Sequence, residues 1–288
     1  MIDHPDIAPV TGWIGDQDYF VFREYDHFAP EPVLDVLHGH VAGVVFRDAV
    51  PVEVCAEIAA RFWDSPHRLT RGTEAPGYYL GAYTWHKPTA QYLDESEQVN
   101  PILDDLLDVE GDPMKVFYAG LSTALAREGA IVRPAEQDGR VASRALLRSW
   151  HGGGEFALNP HDDYSQCADP QMADFERRGV LQRSVVALNI CLENDLGGRL
   201  AYWNIQPDAG SKSRLGLSVT GSPYPPASLV DHETKYIEVN TGDIYVFNGA
   251  HVHAVEPNTD NTRTRTRTRT TLAAMMGFID DHTVVTWS

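Results

Sequence analysis

Residues 242–255 read Gly242-Asp243-Ile244-Tyr245-Val246-Phe247-Asn248-Gly249-Ala250-His251-Val252-His253-Ala254-Val255. A Gly-Asp turn leads into a run of β-branched and aromatic residues, which is strand composition, and a His-x-His follows. The same texture extends through the second half of the chain. From about residue 143, short β-rich runs alternate with Gly, Pro, Asn and Asp. They predict strands at 145–150, 155–162, 183–193, 199–205, 235–239, 243–247, 270–278 and 283–287. Eight short strands at this spacing point to an antiparallel sandwich or jelly roll.

The first half reads differently. Gly43 to Arg47 predicts a short strand, followed by a helix in which Val54, Ile58 and Phe62 share one face. A second helix is marked by Asp112 as N-cap, Pro113 at the first helical position and Gly129 as its stop, with Phe117, Leu121 and Leu125 as its apolar stripe. These helices are expected to cover one face of a sheet. Residues 1–40 carry no clear period and read as an N-terminal extension. No linker rich in Gly, Ser or Pro divides the chain, so residues 1–288 are expected to form one domain whose jelly-roll core spans about 143–288.

Composition narrows the partners. The 288 residues include 41 Asp and Glu against 23 Lys and Arg, a formal net charge of -18. Such a surface argues against nucleic acid and anionic membranes. Six Trp, twelve Tyr and ten Phe supply a core and exclude disorder. Three scattered cysteines, Cys55, Cys167 and Cys191, exclude a disulfide framework or a thiolate zinc site. The first residues lack an apolar run and no long apolar stretch occurs, so a cytoplasmic protein is expected.

Chemistry centres on Asn159-Pro160-His161-Asp162-Asp163-Tyr164. On a strand, residues two apart point the same way, so His161 and Asp163 can face one point while Asp162 faces away. With a histidine from His251–His253 they would supply two imidazoles and one carboxylate, the facial set that holds Fe(II) and leaves three positions open. A low-complexity run, Thr262-Arg263-Thr264-Arg265-Thr266-Arg267-Thr268-Arg269, precedes the 270–278 strand. It reads either as an exposed polar arm or as the source of an arginine for a carboxylate, a task that guanidinium suits better than ammonium.

These residues resemble the Fe(II)/2-oxoglutarate oxygenases, and within them the carrier-protein-independent branch of indole-alkaloid halogenases and N-acyl amino acid hydroxylases. The likeness runs from about residue 40 to the end. It rests on Gly43 to Arg47, Asn159 to Tyr164, Leu196-Gly197-Gly198-Arg199-Leu200-Ala201-Tyr202-Trp203-Asn204, Gly242 to Val255, Arg269-Thr270-Thr271-Leu272 and the terminal Thr286-Trp287-Ser288. It implies an α+β, mainly β fold: a double-stranded β-helix (jelly-roll, cupin-like) core with flanking N-terminal helices. It implies His161, Asp163 and His253 as iron ligands, with His253 preferred because His253-Ala254-Val255 matches the family's His-x-Val. It implies Arg269 for the 2-oxoglutarate carboxylate, with Arg267 and Arg265 as rivals and Thr271 lending a hydroxyl.

Halogenases of the branch carry Gly or Ala where this chain has Asp163, so the resemblance implies hydroxylation of an unactivated C–H with Fe(II), 2-oxoglutarate and O2. The substrate would be a small molecule of secondary metabolism, by analogy a free or modified amino acid. Desaturation, cyclisation, halogenation of an alkaloid or nucleotide, and a non-catalytic binding jelly roll remain as alternatives. Residues 164–182, with Phe175, Arg177 and Arg178, read as a lid or a surface loop. Tyr78, Tyr79, Tyr83, Trp85 and His86, together with Arg148, are candidate substrate contacts or packing. Gly152-Gly153-Gly154 resembles no phosphate loop.

Overall fold

The computed structural model describes residues 8–72, 77–150, 155–194, 197–258 and 269–288. Ten strands carry the architecture: β1 (Gly43–Phe46), β2 (Leu146–Trp150), β3 (Leu158–His161), β4 (Val186–Glu193), β5 (Leu200–Trp203), β6 (Thr234–Ile237), β7 (Ile244–Asn248), β8 (His253–Val255), β9 (Arg269–Phe278) and β10 (Thr283–Trp287). The larger sheet runs β1-β7-β4-β9-β2, all antiparallel, and the smaller runs β3-β8-β5-β6. From β2 to β9 the chain alternates between the sheets, with β5 and β6 paired as neighbours in the smaller one. This is a jelly roll. β10 extends the larger sheet beyond β9 and pairs in parallel with Ile131–Pro134.

Strand alternation separates two cores. Val186, Leu188, Ile190 and Leu192 of β4, Val246 of β7 and Leu272, Ala274 and Met276 of β9 point outward into one apolar cluster with the helices. Ala187, Cys191, Tyr245 and Phe247 point inward and meet Leu200 and Tyr202 of the smaller sheet. Four helices matter here: α1 (Glu31–Leu37), α2 (Val52–Asp64), α3 (Thr89–Leu106) and α4 (Pro113–Arg127). Ile58 and Phe62 of α2 are buried as the four-residue spacing predicts, together with Cys55 and Ala59. Asp112 caps α4 by accepting from the Met114 and Lys115 N–H groups. Gly129 follows α4 with a φ of 73°, the left-handed conformation of a helix stop.

Three features differ from the sequence reading. α3 was not anticipated, because its acidic sequence and internal Pro101 obscure the spacing of the buried Tyr92, Leu93, Leu103 and Leu106. β8 was not identified as a strand; at three residues it is too short to show a period. The N-terminal segment is built into the fold and is no appended extension. Phe22–Tyr25 pairs in parallel with β1, and the Phe20 ring stacks on Tyr202 at 5.8 Å. Asn204 bonds both the N–H and the C=O of Gly15, each at 2.9 Å, which gives the aromatic-Asn after Gly-Gly a structural task. Trp287 is fully buried, and Ser288 Oγ donates to Ala82 O at 2.8 Å. No helix of the described residues is long and apolar enough to cross a membrane.

Candidate active site

β3 and β8 pair antiparallel with His161 directly opposite His253. Opposed residues leave a sheet on the same face, so the two imidazoles meet with ring centroids 4.2 Å apart. The strand ends at His161. Asp163 already has helical backbone angles, φ -84° and ψ -18°, ahead of the short helix Tyr164–Cys167. The turn, in place of strand parity, brings its carboxylate back. Oδ1 lies 3.8 Å from His161 Nε2 and Oδ2 lies 3.4 Å from His253 Nε2. The three side chains can offer ligand atoms that all lie within 4.8 Å of one another.

Asp162 faces away, as expected. It accepts from Ser165 N–H at 2.7 Å, Ser165 Oγ at 2.9 Å, Tyr224 OH at 2.7 Å and Lys212 Nζ at 3.2 Å, a buried network that fixes the turn. Asp163 N–H donates to Gly249 O at 2.8 Å. A Cβ on Gly249 would stand 2.5 Å from Asp163 Oδ2, so only glycine leaves room for the carboxylate there.

Neighbouring carbonyls set the imidazole tautomers. His161 Nδ1 is 2.8 Å from Asn159 O, and His253 Nδ1 is 2.9 Å from His251 O. A carbonyl only accepts, so each Nδ1 carries the proton and each Nε2 of the neutral ring keeps its lone pair for the centre. Burial pushes both histidines down to about 4, with His253 adding to the effect on His161. Burial pushes Asp163 up to about 6, and its Oδ2 has no hydrogen-bond partner. Two converging lone pairs beside an orphaned buried carboxylate oxygen fit a divalent cation. His251 belongs elsewhere: its Nδ1 donates to Trp203 O at 3.0 Å and its Nε2 meets Tyr19 OH at 3.2 Å.

Arg269 opens β9 opposite Trp150 of β2. It is 1% exposed; its Nη2 donates to Tyr245 OH at 2.6 Å, while Nε and Nη1 have no partner. A buried cation without a carboxylate among the described residues is costly unless an anion arrives. Gly198 turns at a φ of 63° beside it, where a Cβ would approach Arg269 Cδ to 3.1 Å. Thr271 shares the inward face, and its buried Oγ1 is unpartnered. Arg267 and Arg265 lie outside the described residues, as do Gly152, Gly153 and Gly154.

A cavity of about 590 Å³ between the sheets joins His161, Asp163, His253 and Arg269, a size ordinary for small-molecule sites, and Thr271 lies outside its lining. Of the aromatic cluster before α3, Tyr79, Tyr83 and Trp85 line it, whereas Tyr78 packs on Trp63 and His86 stacks on Trp85. Arg148 lines it too. Residues 164–182 hold short helical turns and are no solvated loop at Phe175 and Arg177, each 1% exposed; Arg177 donates to Gln166 O at 2.8 Å, and Gln166 lines the cavity. Arg178 lies off the cavity wall; it reaches Ala168 O at 3.5 Å. Arg71 and Asn189 also line the cavity and were not anticipated. Asn189 was findable as the lone polar residue in an apolar strand run. Arg71 carries no such signal.

The profile of the family described as "Carrier-protein-independent halogenase WelO5" matches residues 25–288. The chain is 30% identical over 267 residues to an L-isoleucine 3(1)-dioxygenase of Pantoea ananatis (strain AJ13355), covering 88% of this chain and 86% of that protein. In fold it is similar to an N-substituted L-amino acid dioxygenase from Burkholderia ambifaria AMMD, with a TM-score of 0.56, 16% identity, and 90% and 91% of the two chains covered. The same dioxygenase in complex with alpha-KG matches with a TM-score of 0.54 at 15% identity, over 90% and 91% of the two chains.

Proposed function

The chain belongs to the family of the carrier-protein-independent halogenase WelO5, and from that premise we propose that it hydroxylates an unactivated C–H of a free or modified amino acid, with His161, Asp163 and His253 as its metal ligands. It is an Fe(II)/2-oxoglutarate-dependent oxygenase, using O2. The observation that carries the residue assignment is the convergence of two lone-pair-bearing Nε2 atoms on the Asp163 carboxylate, whose Oδ2 is unpartnered. The amino acid substrate is supported by the relative that is an L-isoleucine dioxygenase.

When bound, iron and 2-oxoglutarate supply the oxidation of a C–H bond by O2, with loss of CO2 from the co-substrate. The chain's residues do the rest. The Asn159 and His251 carbonyls hold the two imidazoles in the ligating tautomer. Asp163 lowers the charge of the centre and fills the place that halogenases of the branch leave for chloride, which favours hydroxylation. Arg269, steadied by Tyr245, offers Nε and Nη1 to the far carboxylate of 2-oxoglutarate, and Thr271 offers its hydroxyl. The two sheets bury the centre, where His161, Asp163 and His253 are each at most 8% exposed.

The test is succinate formation coupled to O2 uptake across an amino acid library, with products examined by mass for one added oxygen. Asp163→Ala and His253→Ala are expected to abolish both signals. Coupled turnover that survives both substitutions overturns the ligand assignment, and a chloride-dependent product overturns the choice of hydroxylation.

A further inference from the structure

Two more cations line the cavity, and the roles assigned above leave both without a task. Arg148 stands on β2, opposite Tyr79 on one side and Thr271 of β9 on the other. Arg71 follows the short strand Leu69–Thr70. Their guanidinium carbons lie 4.9 and 4.7 Å from the centroid of one ring, Trp150. Arg148 Nη2 donates to Asn189 Oδ1 at 3.1 Å, which fixes the plane of the guanidinium, while its Nε is buried with no partner.

Most of the chain's ion pairs are built differently. Acidic residues outnumber basic ones 41 to 23, and many arginines elsewhere pair with carboxylates, such as Arg47 with Asp243, Arg133 with Glu176 and Arg199 with Glu256, while the buried Arg177 bonds Gln166 O instead. Among the described residues lining the cavity the one acid is Asp163, whose oxygens face the two histidines. Burial, and then the like charge of Arg71, push Arg148 down to about 10, and burial lowers Arg71 as well. The site holds two cations beside one aromatic ring, close enough that Arg71 depresses Arg148, and an anion in the cavity relieves that repulsion.

We propose that Arg71 and Arg148, both beside the Trp150 ring, are the site that takes the substrate's carboxylate and so fixes which C–H faces the His161–Asp163–His253 centre. The assignment rests on the hydroxylase reading above and gives the substrate a defined anionic end. Arg269 keeps the separate task read for it above, with Nη2 held by Tyr245 and Nε and Nη1 unpartnered. Two guanidiniums match a carboxylate geometrically, and each charge-assisted bond discriminates against a neutral isostere.

The test screens the holoenzyme with Fe(II), 2-oxoglutarate and O2 against the proteinogenic L-amino acids and their N-acetyl derivatives, then pairs the best substrate with its own carboxamide. The carboxamide is expected not to be oxidised. Arg71→Gln and Arg148→Gln are each expected to raise KM for the acid by about tenfold or more, with KM for 2-oxoglutarate held within about threefold. A carboxamide oxidised as well as the acid overturns the proposal. So does an acid KM that neither variant moves, a loss confined to kcat, or a rise in the 2-oxoglutarate KM alone. If no amino acid or derivative is oxidised at all, the hydroxylase reading fails. If one is oxidised but the variants leave its KM unchanged, that reading stands and only the carboxylate site falls.

Discussion

The two faces of the larger sheet are made by the same strands and differ in almost everything else. Outward, Val186, Leu188 and Ile190 of β4 are fully buried in an apolar cluster with the helices. Inward, the same sheet leaves Arg148 Nε, Arg269 Nε and Nη1 and Thr271 Oγ1 buried without partners. A period of two lets adjacent residues answer to different demands. One face stabilises the fold, and the other spends part of that stability on unsatisfied groups held ready for ligands.

The largest expected effect tests whether the inward face carries the chemistry. Asp163→Ala should reduce succinate formation to background and remove the rise in melting temperature that Fe(II) or Mn(II) gives the wild type anaerobically, with the metal-free fold kept. A variant that still gains that rise would break the contrast. Next, Leu188→Ala on the outward face should cost about 2–5 kcal/mol in urea unfolding while KM for 2-oxoglutarate stays unchanged. A shift in KM would show the faces to be coupled. Arg269→Gln should raise the 2-oxoglutarate KM by about ten- to a hundredfold, as expected for a lost charge-assisted pair, with stability equal to or above wild type. The smallest effect sharpens the picture most. Thr271→Val keeps the side-chain shape and removes an orphaned hydroxyl, so stability should hold or rise slightly while the 2-oxoglutarate KM rises by about two- to tenfold. A fall in stability would mean that the hydroxyl already has a structural task.

The strands of the jelly roll were legible because alternation, turn residues and β-branched runs are local signals. Seven of its eight strands can be read from composition; β8 cannot, since three residues show no period. The eighth predicted strand, 283–287, exists as β10 but lies outside the roll. α3 was hidden by acidic residues and by Pro101, and forms because tertiary burial of Tyr92 and Leu103 outweighs local preference. His161, Asp163 and His253 were legible as residue types at known spacing. The route to their convergence was not: it depends on the β3–β8 register and on a turn at Asp163 held by the Asp162 network. Arg71 was invisible because its position over Trp150 arises from chain segments about eighty residues apart.

The contact between Gly249 and the Asp163 carboxylate has a consequence for how this chemistry diversifies. A carboxylate can be removed from the centre by mutating it, but here it can also be dislodged from a neighbouring turn. One methyl group at position 249 would contest the space of Oδ2, which stands 2.5 Å from where a Cβ would sit. The occupancy of that coordination place is therefore written at two addresses about ninety residues apart, in the turn after β3 and in the turn between β7 and β8. Drift at the second can retune the first without touching a ligand codon.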